Sequence, residues 1–264
     1  MDMTELRTNP PPINLGAGSG KGVKVAVIDS GINAQHSHVQ RVAGGVHILL
    51  GSGGALEFLP DWRDSLGHGT AIAGVLRAKA PDVELYSVKV FDRQLRTQAE
   101  IVAAAIRWAA DNRMDIANCS LGTAEAAHRP LLQGACEYAA GKGVLVVAAC
   151  ESPDAELFPA CLPGVIPVAG DENCGWDEFY ACGKGTPVFR AHPCPRPLPG
   201  RPQERNLRGH SFAAAHIAAC LARLCEQLPP AERHRVSGIL FANSSRPRRT
   251  AGNQQVALPQ EALD

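Results

Sequence analysis

Short apolar runs rich in β-branched residues recur along this chain, and stretches of helical periodicity separate them. Residues 23–28, 83–90, 115–122, 144–149 and 165–169 are the runs; they read as nearly continuous apolar segments, as strands buried on both faces of a parallel sheet do. Residues 70–76 are a small-residue helix, Ile101, Ala105 and Trp108 with Val102, Ile106 and Ala109 form an amphipathic one, and residues 124–140 a third. Strands alternating with helices at this spacing predict an α/β fold, a three-layer α/β/α stack around a mainly parallel central sheet with right-handed crossovers.

The boundaries follow from the same pattern. Residues 1–22 read as an irregular arm, with Pro10-Pro11-Pro12 extended and four glycines after it. Residues 23–245 form one domain, and 246–264 a polar tail. Pro167 predicts that the fifth run is an edge strand or ends there. Residues 51–66 read as a glycine-bearing loop, 171–207 as loops and short strands, and a last helix is expected near 231–241.

Composition removes several classes of function. The 264 residues carry 26 Lys+Arg against 26 Asp+Glu, which leaves no basic surplus for nucleic acid or an anionic membrane. No apolar stretch is long enough to span a bilayer, and residues 1–12 have neither a basic nor an apolar signal region. A cytoplasmic protein is the expectation. Nine cysteines without a Cys-x-x-Cys pair fit reduced thiols better than a disulfide framework. Cys174, Cys182, His192 and Cys194 could supply four zinc ligands, but their spacing matches no usual structural site, and no metal is expected.

Three stretches carry the chemistry. The first run ends in Asp29-Ser30-Gly31, an acid at the carboxyl end of a parallel strand, where α/β proteins bind their ligands; a plain turn aspartate gives the same pattern. Gly67-His68-Gly69-Thr70 opens the small-residue helix, with glycines that permit close backbone approach. Arg208-Gly209-His210-Ser211-Phe212 delivers a serine to the first position of an alanine-rich helix, at the positive end of its dipole. Ser211 is either a nucleophile or an N-cap on this evidence alone.

In this order the three stretches resemble the signature blocks of the subtilisin-like serine proteases, whose members carry Asp, His and Ser in that chain order. The resemblance extends from about residue 23 to 224, and includes residues 86–90 and Asn118-Cys119-Ser120-Leu121-Gly122. It implies a subtilisin-like fold and a serine endopeptidase needing no cofactor, in which Ser211 attacks a peptide carbonyl, His68 is the base and Asp29 holds its tautomer. It further implies that Ser120, Leu121 and Gly122 pair with the substrate backbone and, with Ala148 and Ala149, wall the cleft for the side chain before the scissile bond.

The sequence departs from the family at the oxyanion region, formed here by Glu151, His210 and Ser211. Ala148-Ala149-Cys150-Glu151 stands where the family has Ala-Ala-Gly-Asn, so Glu151 replaces the amide donor, or Ser152 does if the alignment slips by one residue. His210 replaces a threonine, Ala71 a second histidine and Ala215 a proline. The secretory signal and prodomain of exported members are not expected, for lack of room ahead of residue 23. Two functions are therefore expected: a restricted cytosolic peptide-processing protease acting on a peptide or protein, or a catalytically impaired fold that binds a peptide as a recognition subunit. The sequence is silent on oligomeric state.

Overall fold

A computed structural model describes residues 16–152, 154–183 and 186–244. The arm before residue 16 and the tail 246–264 lie outside the described residues. Nine strands form one sheet: β1 Lys24–Asp29, β2 Gly44–Leu50, β3 Leu56–Leu59, β4 Glu84–Lys89, β5 Ile116–Cys119, β6 Leu145–Ala149, β7 Ile166–Gly170, β8 Phe179–Cys182 and β9 Val188–Ala191. Their spatial order is β3-β2-β4-β1-β5-β6-β7-β9-β8. Only the edge strands β3 and β8 pair antiparallel.

Among the described residues five helices cover the sheet: α1 His68–Lys79, α2 Ala99–Asp111, α3 Arg129–Gly141, α4 His210–Glu226 and α5 Val236–Ala242. Along β1, Ala26 and Ile28 enter one core with α2 and α3, while Val25 and Val27 enter the other with α1, α4 and α5. That period-2 split puts both strand faces out of water, which is why the runs are apolar throughout. The α/β/α expectation holds.

The strand order reverses at β1, because β2 and β4 lie on one side and β5, β6, β7 and β9 on the other. Such a switch point leaves a crevice beyond the carboxyl ends of the strands. Asp29 ends β1 and Ser120 follows β5, its neighbour, so both stand at that crevice.

Four local expectations are corrected. Residues 51–66 are not all loop: Leu56–Leu59 is an exposed edge strand on β2. The third helix begins at Arg129 rather than 124, after a short 3-10 turn at Ala126–His128, with a proline in its first turn. Ser211 is the second residue of its helix, since His210 is the first. Pro167 lies inside the sheet, between β6 and β9. Val168 accepts from Cys150 N on the β6 side, so the missing N–H of Pro167 faces β9, whose pairing begins only at Val168.

Candidate active site

Asp29 and His68 meet at the crevice. The Nδ1 atom of His68 stands 2.8 and 2.9 Å from the two carboxylate oxygens of Asp29, and the side chains are 0% and 5% exposed. A carboxylate only accepts, so this contact puts an imidazole proton on Nδ1. Backbone packing enforces the approach: a Cβ on Gly69 would lie 2.2 Å from Gly31 O and 3.1 Å from Asp29 Oδ1. The glycine after His68 is required by contact.

Ser211 is held over the end of β5. Its hydroxyl donates to Ser120 O at 3.1 Å, and Asn118 Nδ2 in turn donates to Ser120 Oγ at 2.8 Å. The ring of Phe212, the next residue, lies 5.2 Å from the His68 ring, so the starts of α1 and α4 abut. Both helices point their positive dipole ends at the site, which favours negative charge there. Ser211 is 4% exposed, and developing charge is therefore poorly screened by water.

Beside this cluster, His210 accepts the Gly170 N–H at Nδ1, at 2.9 Å. Burial lowers its pKa, Arg190 lowers it further, and only Glu151 raises it. Glu151 itself is half-buried after the end of β6. Ala148 is the register partner of Cys119, which sets the β6 end against residues 120–122. Leu121, Ala148 and Ala149 turn their side chains into the core, so they present backbone to the crevice.

Asp64 was not singled out by the sequence, yet it organises the loop that presents His68. Its carboxylate accepts from Ser30 Oγ, Leu66 N, Gly67 N, Thr70 N and Thr70 Oγ1. Ser30 also receives the Gly69 N–H on its hydroxyl. The Asp-x-x-Gly spacing ahead of His68, which lets one side chain cap two following N–H groups, is the signal that marks it.

Among the described residues no three His, Cys, Asp or Glu side chains cluster as metal ligands. His192 Nδ1 donates to Cys174 O at 2.8 Å, and Cys174 Sγ contacts Arg190 O at 3.7 Å. All nine cysteines are free. Among the described residues no helix is long and apolar enough to cross a membrane.

Comparison with known proteins identifies the family of the chain. The subtilase family model matches residues 20–170, a span that contains Asp29 and His68. Subtilisin BL of Lederbergia lenta is 31% identical over 223 residues, covering 80% of this chain and 79% of the relative. Alkaline elastase YaB of a Bacillus strain is 33% identical over 224 residues, covering 80% of this chain and 56% of the relative. The crystal structure of the leader peptidase NisP from Lactococcus lactis superposes with a TM-score of 0.65 at 20% identity, covering 87% of this chain and 85% of that one. This chain belongs to the subtilase family of serine proteases.

Proposed function

We propose that the protein is a restricted peptide-processing endopeptidase working in the cytoplasm through Asp29, His68 and Ser211. Ser211 Oγ attacks the scissile carbonyl carbon while its proton passes to His68 Nε2. The tetrahedral intermediate collapses with cleavage of the C–N bond, and His68 returns the proton to the leaving amine. Water, deprotonated by His68, then releases the acyl group and restores Ser211. Asp29 stays ionised throughout and stabilises the imidazolium. The observation that carries this reading is the buried two-oxygen contact between Asp29 and His68 Nδ1.

The restricted character rests on Glu151. A carboxylate near the reacting carbonyl opposes an oxyanion, so turnover depends on binding energy from a well-matched peptide. The same observation favours a second reading, a peptide-binding subunit of impaired activity. Replacing Ser211 by Ala separates them. The endopeptidase reading expects hydrolysis to disappear from a peptide that still binds; unchanged turnover in that variant refutes the mechanism, and absent turnover in the wild type favours the binding subunit.

A further inference from the structure

The crevice is closed beside Gly122 by a leucine, and we infer that Leu157 restricts the residue before the scissile bond to a small side chain of the glycine or alanine class. The inference rests on the proteolytic reading of the same site.

Ser211 Oγ donates to Ser120 O, so the reacting atom sits over the start of the segment 120–122. Extended backbone advances about 3.3 Å per residue, which puts Gly122 roughly 7 Å along that wall. The facing wall is the end of β6, aligned by the pairing of Cys119 with Ala148. Both walls present backbone, because Leu121, Ala148 and Ala149 turn their side chains into the core.

Leu157 lies beside Gly122. Thr123 and Phe158 exchange both backbone bonds at 2.8 Å, an antiparallel bridge that lays residues 157–158 across Gly122. A Cβ on Gly122 would lie 2.7 Å from Leu157 Cγ, 2.8 Å from its Cδ2 and 3.1 Å from Phe158 O. The isobutyl group therefore rests on the α-carbon of Gly122 and occupies the room that the missing side chain would open. It is held there: Leu157 packs on the core cluster of β5 and β6, and its carbonyl accepts from Cys161 N at 3.0 Å. A phenylalanine or leucine side chain entering between the walls meets these methyl groups.

The test uses the full chain and a matched peptide series differing only in Ala or Phe before the scissile bond. Wild type, Leu157→Ala and Leu157→Gly are compared by kcat/KM. Wild type is expected to favour the Ala peptide, and Leu157→Gly to move the Phe-to-Ala ratio toward Phe about 10–100-fold, the worth of a few buried methylenes. The smaller truncation should move it less. Dissociation constants of the same peptides on Ser211→Ala, with and without Leu157→Gly, give the same ratio without turnover. If no peptide is cleaved, the proteolytic reading fails while the binding ratio still decides on Leu157. Equal use or equal binding of Ala and Phe peptides by the protein with Leu157 intact, or a ratio unmoved by both truncations, overturns the inference.

Discussion

Gly170 donates its backbone N–H to Nδ1 of His210, and this bond fixes which nitrogen of His210 carries the proton. An N–H cannot accept, so Nδ1 holds a lone pair, and the neutral ring favoured by burial carries its proton on Nε2. His210 thus carries one N–H donor on the residue before Ser211. In the proposed mechanism Glu151 stands in place of the family's amide and opposes the oxyanion. Glu151→Asn is expected to raise turnover at neutral pH by up to about 10²-fold, since one oxyanion donor is worth 10²–10³. Turnover of both forms across pH 5 to 9 checks this. Unchanged turnover at every pH, together with a loss of that size in His210→Ala, would contradict it and assign the donor to His210.

Asp64 gathers five donors from three segments around His68, and Asn in its place turns one acceptor oxygen into an N–H₂ that faces donors. Asp64→Asn is expected to cost about 1–3 kcal/mol of stability and to lower kcat roughly tenfold or more through a displaced His68. Urea unfolding and kcat measured on the same samples check both. A variant with lowered stability but unaltered kcat would show that Asp64 supports the loop without positioning the base.

Acid should destabilise the fold through His216. Its ring is almost wholly buried against Trp176, with ring centroids 4.5 Å apart. Burial lowers its pKa well below the ordinary 6.5, with Lys79 and His192 adding to the effect. The unfolded chain therefore binds the proton first, and stability is full above about pH 6.5 and declines as pH falls below it. The limiting slope for one such group is about 1.4 kcal/mol per pH unit. Urea midpoints between pH 5.5 and 7.5 should show the decline in wild type and a shallower one in His216→Phe, which keeps an aromatic ring and removes the titration. Equal slopes would contradict the assignment.

The sequence singles out Asp29, His68 and Ser211 as candidates because each occupies a local motif whose end is chemically marked: a strand terminus, a Gly-His-Gly turn and a Gly-x-Ser helix start. The buried strands were legible from their uninterrupted apolar character. β3 was not, because Leu56–Leu59 is exposed along its length and shows no burial pattern to read. Pro167 misled because its missing N–H is harmless only in light of where β9 begins to pair. Asp64 and Leu157 act through contacts that the folded loops create, with Ser30 in one case and Gly122 in the other. The Asp-x-x-Gly spacing marks Asp64 only for its local N–H caps, and no spacing encodes its contact with Ser30 or that of Leu157 with Gly122.

Thiol modification is expected to leave hydrolysis intact. Burial pushes the Cys150 thiol up to about 12, so almost no thiolate is present at pH 7.5, and the thiolate is the reactive form. Cys161 is the exposed thiol and should react first with iodoacetamide. Mass spectrometry and residual activity followed together check this. Activity lost in step with alkylation of Cys150 would give that thiol a part in the site.

Activation of Ser211 by His68, which the proposed mechanism requires, is read out by fluorophosphonate labelling of the folded protein. Wild type is expected to take up one equivalent per chain, located on Ser211 by peptide mass, with none in Ser211→Ala and labelling slowed about 10³-fold or more in His68→Ala. Absent labelling in folded wild type, or an equal labelling rate in His68→Ala, would contradict the account.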